Sequence, residues 1–182
     1  MTTIYLVRHA HCDWTEDGNR PLSKQGLKDA DRVVEYLGEL PRTAIYSNPA
    51  MRARQTVTPL ASHIGLPVLE NDDLRERTLG RWARGDFEAA VRMTWEDPSF
   101  NHPGGETNGN AQTRGIAVVQ KIVLQLAGEQ VVIASHGNLA ALVLQHFDPT
   151  IGFDFWRSMT MPDIYRLDIS AASTSSIDRV WS

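Results

Sequence analysis

Two short apolar runs, residues 3–7 (TIYLV) and 130–134 (QVVIA), are each followed two residues on by a histidine, His9 and His136. Both runs are rich in β-branched residues and read as buried strands. Ser23 reads as the N-cap of a helix that carries Leu27, Ala30, Val33, Val34 and Leu37 at helical spacing and is ended by Pro41. Residues 44–46 form a brief second strand. Ser47-Asn48-Pro49 then opens a helix carrying Arg52, Arg54 and Gln55 towards Ile64, closed by Gly65 and Pro67. Further on, the pattern predicts a third strand near Val68, helices over 86–96, 117–126 and 139–147, and late strands over 163–169 and 176–181. The Gly-, Asn- and Pro-rich stretch 98–110 reads as an active-site loop. Strands alternating with helices predict an α/β protein, a three-layer α/β/α sandwich with a mostly parallel central sheet. With 182 residues, 42% of them hydrophobic, and no repeat, linker or low-complexity tract, residues 1–182 are expected to form one domain.

In an open α/β sheet, ligands bind beyond the carboxyl ends of the strands, so His9 and His136 are expected to converge. A single strand-end histidine is more often a loop or capping residue; two at corresponding places point to a site. Arg8 adds a planar fork of donors suited to an oxyanion, and Arg52, one turn into its helix, brings another. Arg52 and Arg54 also fit a solvated helix face, although a helix N-terminus favours an anion. Gly137, just after His136, lets a ligand approach the backbone at the start of the next helix. A neutral imidazole held at one nitrogen attacks phosphorus with the other, which makes His9 the candidate nucleophile. The arginines and His136 would then balance charge on the transferring group. Glu76 is the candidate proton donor for the leaving oxygen, with Glu106 next in line.

The rest of the composition narrows the partners. A net charge of -4 argues against nucleic acid, and no apolar run approaches the roughly 18 residues of a membrane span. The single cysteine, Cys12, leaves no internal disulfide, and the start of the chain lacks the features of a leader, so a cytoplasmic enzyme of a small phosphorylated substrate is expected.

Taken together, the motifs resemble those of the histidine phosphatase, or phosphoglycerate mutase-like, superfamily. Leu6-Val7-Arg8-His9-Ala10 is similar to its strand-end Arg-His-Gly signature, and Arg20-Pro21-Leu22-Ser23-Lys24-Gln25-Gly26 to its Pro-Leu-Thr-x-x-Gly stretch. The segment from Ser47 through Arg52 to Thr56 resembles the one supplying a second phosphate-binding arginine, which implies that role for Arg52 rather than Arg54. Leu74-Arg75-Glu76 with Gly80-Arg81-Trp82 resembles the proton-donor segment, Pro103-Gly104-Gly105-Glu106-Thr107 the Pro-Gly-Gly-Glu-Ser loop, and Ser135-His136-Gly137-Asn138 the second histidine motif. The resemblance implies a phosphohistidine on His9, phosphate binding by Arg8, Arg52, His136 and Asn138, and catalysis by His9, Glu76 and His136 with no metal or cofactor. Three positions depart from the pattern. Ala10 replaces the commoner glycine, Thr15 stands where many members carry a phosphate-touching asparagine, and Ala83-Arg84-Gly85 replaces a Glu-Gly continuation.

Other readings compete. His9-x-His11 with Asp13 and His136 suits a hydrolytic metal site, but the barrels that use such a pair need about 250 residues. A thiolate phosphatase centred on Cys12 lacks its arginine, since the position six residues on is Gly18, and Cys12 reads instead as a small packing residue. A phosphate-sensing module would need neither nucleophile nor acid. Within the family, mutase activity is the nearest alternative, disfavoured by the chain's shortness. Trp14, Trp82, Phe100, His102 and Trp156 are candidates for a substrate mouth.

Overall fold

A computed structural model describes residues 1–16, 19–39, 41, 43–82, 86–170 and 174–182. Gly18 and the Ala83-Arg84-Gly85 departure lie outside the described residues. The strands are β1 (Thr2–Arg8), β2 (Ala44–Ser47), β3 (Val68–Glu70), β4 (Gln130–Ser135), β5 (Asp163–Ile169) and β6 (Thr174–Arg179). They form one sheet in the order β3-β2-β4-β1-β5-β6. The β2–β3, β2–β4 and β1–β4 pairings are parallel, and β5 and β6 close one edge antiparallel. The helices are α1 (Lys24–Leu37), α2 (Met51–Ile64), α3 (Phe87–Glu96), α4 (Asn108–Gln125), α5 (Gly137–Phe147) and α6 (Phe153–Ser158).

Successive strand side chains face opposite sides of the sheet, which explains why β1 and β4 show no polar alternation. Ile4 and Leu6 pack with Ile116 and Val119 of α4 and Leu139 and Leu142 of α5. Tyr5 and Val7 face the other way, onto Val33 and Leu37 of α1 and Val57 and Leu60 of α2. Each fully buried aliphatic side chain contributes about 1.5–3 kcal/mol, so a strand with both faces covered is anchored twice over. The α/β/α layering follows as expected.

Local signals act as expected at α1, where the Ser23 side chain accepts a hydrogen bond from the Gly26 N–H. A side chain at Gly26 would collide with the His11 carbonyl oxygen, so this helix start sits directly against the loop that leaves β1. The largest difference concerns the loop expected over 98–110. Helix α4 begins at Asn108 rather than 117, capped by Thr107, whose side chain accepts from the Asn110 N–H. Asn and Gly are poor helix formers, but the cap and the burial of Asn108 and Ala111 outweigh their propensities. Smaller differences occur elsewhere. Helix α1 stops at Leu37 and Gly38, before Pro41 is reached, and α5 starts two residues earlier than 139, at Gly137. The short α6 was not signalled by periodicity and is anchored by buried Phe153. Strand β6 ends at Arg179, while Trp181, expected within that strand, packs on Tyr36 with ring centroids 4.9 Å apart. Among the described residues no helix is long and apolar enough to cross a membrane.

Candidate active site

Strands β1 and β4 are parallel neighbours in a register that sets Arg8 opposite Ser135. The His9 N–H donates to the Ser135 carbonyl at 3.0 Å, so His9 and His136 leave the sheet side by side. Their rings meet edge to face with centroids 5.2 Å apart. Above them opens a cavity of about 350 Å³, lined by Arg8, His9, Arg52, Glu76 and Asn138 of the expected residues. His136 is 1% exposed, packs against His9 and is not among the residues lining the cavity.

Hydrogen bonding fixes the protonation of both rings. His9 Nδ1 lies 2.8 Å from the Ala10 carbonyl oxygen, which only accepts, so Nδ1 carries the hydrogen and Nε2 keeps its lone pair. Arg52 Nε donates to that lone pair at 3.3 Å. At His136 the partner is Asn48 Oδ1, 3.1 Å from Nε2. The Ala50 N–H donates to the same Oδ1 at 3.0 Å, which orients the Asn48 amide and makes His136 Nε2 the donor. His136 Nδ1 is then a bare lone pair, buried and without a partner. Burial, followed by His136, Arg52 and Arg8, pushes His9 down to about 3, against one opposing bond from Ala10. Burial, then Arg52, Arg114 and Arg8, pushes His136 down to about 3 as well. Both imidazoles are therefore neutral at pH 7.

The arginines reach the site by different routes. Arg8 Nη1 donates to the Met159 carbonyl at 2.9 Å, while its Nε is buried without a partner. Burial lowers the Arg8 pKa against the opposing pull of Glu76 and Asp163. Its guanidinium lies across Gly137, where an added Cβ would sit 2.9 Å from Nε and 3.0 Å from Cζ. Arg52 comes from the first turn of α2. Thr56 ties that helix to the β1 loop, donating to the Arg52 carbonyl at 2.7 Å and accepting from the Ala10 N–H at 2.9 Å. Arg54 instead pairs with Glu70 at 2.9 Å on the outside of the molecule.

Glu76 is the one carboxyl group among the described residues lining the cavity. It spans the N-terminus of α5, with Oε2 accepting from the Asn138 N–H at 3.0 Å and Oε1 from the Leu139 N–H at 3.0 Å and the Arg77 N–H at 2.9 Å. The free N–H groups of a helix start thus orient a carboxylate. Trp95 Nε1 donates to Asn138 Oδ1 at 3.1 Å, which turns the Asn138 amide so that its NH₂ remains as a donor.

The model of the histidine phosphatase superfamily (branch 1) matches residues 4–175. The chain belongs to this superfamily. A metal-independent phosphoserine phosphatase of Arabidopsis thaliana is 30% identical over 156 residues, 76% of this chain and 66% of that protein. The uncharacterized phosphatase PhoE of Bacillus subtilis is 27% identical over 143 residues, 75% of this chain and 72% of that protein. The structure of Bacillus stearothermophilus YhfR superposes with a TM-score of 0.79 at 26% identity, covering 96% of this chain and 94% of that one. The chain thus spans just under two thirds of the Arabidopsis relative's length.

Several of the other residues differ from expectation. Glu106 is the second candidate acid, but it does not line the cavity and pairs with Arg114 at 2.7 and 2.9 Å. Burial raises its pKa, and Arg114 and Arg75 more than reverse that, leaving it lowered. Arg114 also donates to the Asp73 and Arg75 carbonyls at 2.6 and 2.8 Å, so this pair fastens the Glu76 segment to α4. Of the aromatic candidates, Trp156 lines the cavity, whereas Trp82 packs on Phe87, a lining residue, with centroids 5.8 Å apart. Trp14 is 71% exposed and off the cavity. Phe100 packs on His102, whose Nε2–H donates to the Ala90 carbonyl at 2.9 Å. Cys12 packs beside Ala10, Leu22 and Ala30 but also reaches the cavity wall. Ala10 is buried, its N–H and C=O used by Thr56 and His9, so the methyl group costs no contact at the surface of the site. Thr15 Oγ1 accepts from the Arg20 N–H at 3.0 Å and does not line the cavity. His11 Nδ1 is paired with the Ser23 hydroxyl at 2.8 Å, and among the described residues no group of three His, Cys, Asp or Glu side chains gathers to hold a metal ion.

Two arginines on the wall were not anticipated as site residues, Arg20 and Arg77. Arg20 holds a positive φ of 44°, a conformation costly for an L-residue and common at functional positions. Its place in the Arg-Pro-Leu-Ser stretch was the available signal. For Arg77 the signal was adjacency to Glu76 alone.

Proposed function

We propose that this histidine phosphatase hydrolyses small phosphomonoesters through a covalent phosphohistidine on His9, with no metal ion. The observation that carries the reading is the His9 ring itself: Nδ1–H is held by a backbone carbonyl while the Nε2 lone pair meets Arg52 at the cavity wall. An incoming phosphate takes over the Arg52 donor, and the freed lone pair attacks phosphorus as the bond to the leaving oxygen breaks. Arg8, with a buried Nε in need of an acceptor, and Arg52 balance the equatorial oxygens. Asn138 adds its NH₂ group. Glu76 relays a proton to the leaving oxygen and takes one back from the water that attacks the phosphohistidine, so phosphate leaves and the enzyme is regenerated.

His136 enters through its lone pair. As a neutral ring it accepts at Nδ1, so it binds phosphate only after taking a proton there. A phosphate dianion opposes the burial that holds the ring neutral, so substrate and proton arrive together. The names of the relatives support a small phosphate ester as substrate: the Arabidopsis protein is named for phosphoserine.

Acid quenching during turnover of a ³²P-labelled ester in excess chelator tests the reading. Acid-labile label on His9 is the expected result. Unlabelled enzyme, or activity lost in chelator and restored by zinc or manganese, would overturn it. Glu76→Gln is expected to slow phosphoenzyme formation from an alkyl phosphate by roughly a hundred- to ten-thousand-fold, and much less from an aryl phosphate with a stable phenolate. Equal slowing for both would remove Glu76 from the proton transfer.

A further inference from the structure

Asp163 is a wholly buried carboxylate that the proposed reaction does not use. A buried charge is costly unless its lone pairs find donors, and here four donors meet it. Oδ1 accepts from the Ile164 N–H at 3.1 Å and from Arg179 Nε at 2.8 Å, and Oδ2 from the Tyr165 hydroxyl at 3.1 Å and the Thr160 N–H at 3.0 Å. Three of these bonds hold the carboxylate in place. The fourth passes that hold on, because the Thr160 N–H belongs to the same peptide unit as the Met159 carbonyl, which accepts from Arg8 Nη1 at 2.9 Å. A trans peptide is planar, with its N–H and C=O pointing opposite ways, so fixing the first direction fixes the second.

The strand register makes this link short. The antiparallel pairing of β1 with β5 sets Asp163 opposite Arg8, which puts their β-carbons about 5 Å apart on one face of the sheet. Yet the carboxylate is paired with Arg179, and Arg8 is held by a neutral carbonyl. A direct ion pair would occupy guanidinium donors and offset the charge that a phosphate needs. Through the peptide, the carboxylate orients Arg8 with one bond and leaves Nε, buried against Gly137 and without a partner, to an incoming oxygen. Polarisation along the chain from carboxylate to peptide to guanidinium strengthens each bond in it. We propose that Asp163 is a positioning residue for phosphate binding, acting through the Met159–Thr160 peptide to hold the Arg8 guanidinium at the cavity wall.

This inference rests on the reading of Arg8 as a phosphate ligand, and binding of inorganic phosphate, followed by calorimetry, keeps the two apart. Equal affinity in the native protein and in Arg8→Ala would remove Arg8 from the phosphate site, whatever Asp163 does. Given a loss there, Asp163→Ala is expected to weaken phosphate binding and lower kcat/KM by about ten- to a hundredfold, the worth of one charge-assisted hydrogen bond. Tyr165→Phe takes a different donor from the same oxygen and should change either quantity by less than about twofold. An equal loss in both variants would trace the effect to the buried network at large and overturn the proposal. A double-mutant cycle separates positioning from packing: in an Arg8→Ala background, Asp163→Ala should cost less than about twofold in kcat/KM, because no guanidinium is left to position. The full loss in that background would also overturn it. Asp163→Ala strips four donors of their acceptor, so a milder change covers the case in which it does not fold. An ester in place of the residue 160 amide, introduced as the α-hydroxy analogue of threonine, deletes the N–H, weakens the Met159 carbonyl as an acceptor and leaves Asp163 its other three donors. Phosphate affinity is expected to fall by at least about fivefold, and a fall of less than about twofold would refute the link.

Discussion

His9 and His136 occupy matching places, each just past the end of a central parallel strand, and yet the fold makes them different reagents. His9 reaches the cavity wall with Nδ1–H tied to a carbonyl and Nε2 accepting from Arg52, whereas His136 is buried beside it with Nε2–H tied to Asn48 and Nδ1 unpaired. The strand ends supply proximity. The hydrogen bond to the other ring nitrogen sets which one stays free, and its partner is the adjacent Ala10 carbonyl for His9 but the distant Asn48 amide for His136.

Replacing each histidine by alanine is the strongest way to break this comparison. His9→Ala is expected to abolish labelling and to lower turnover by at least about a thousandfold, because the covalent route is lost. His136→Ala should still form the phosphoenzyme, more slowly. Label surviving in His9→Ala and vanishing in His136→Ala would reverse the assignment. A smaller effect is expected at Asn48, whose amide fixes the His136 tautomer. Asn48→Leu should reduce kcat/KM by roughly tenfold, the worth of one well-placed hydrogen bond, and a change below twofold would show that the tautomer is immaterial.

A finer measurement follows the His136 proton. With its pKa near 3 in the free protein and raised by a bound anion, vanadate binding at pH 7 is expected to take up as much as one proton. Calorimetric titration in two buffers of different ionisation enthalpy reads this directly, and zero uptake would place His136 outside the phosphate site. The mildest expectation concerns stability. Each buried histidine is neutral when folded and ordinary when unfolded, so the unfolded chain binds more protons between about pH 6.5 and pH 3. Stability from this source is complete above that window and is lost as pH falls through it, at up to about 1.4 kcal/mol per pH unit for each ring. Denaturant unfolding should show a shallower acid slope in His9→Ala, and an identical slope would mean that burial does not hold that ring neutral.

What was legible in the sequence was local. The strands 3–7 and 130–134, the Ser23 cap and the position of His9 and His136 depend on short patterns, and each appears where those patterns put it. The start of α4 was missed because a single cap and the burial of Asn108 outweigh a run of weak helix formers. The cavity wall was legible only in part, since it joins residues from Arg8 to Met161, and the contacts that sort them are tertiary. Glu76 finds its donors at Asn138 and Leu139, across 62 and 63 positions of chain. Arg54 and Arg77 look alike in the sequence. Packing sends one to Glu70 at the surface and the other into the cavity.

The 5.2 Å between the two imidazoles is close to the roughly 4.8 Å that separates hydrogen-bonded strands in any sheet. The gap between the proposed nucleophile and its neighbouring histidine is thus a ruler laid down by the backbone ladder, and not by the loops through which the chain travels from one to the other. Segments inserted in those loops can redraw the rim and change which molecules enter, while the reacting pair keeps its spacing. For an engineer the same fact marks out a transplantable unit, two adjacent parallel strands with their first residues beyond the sheet, around which new substrate walls can be built.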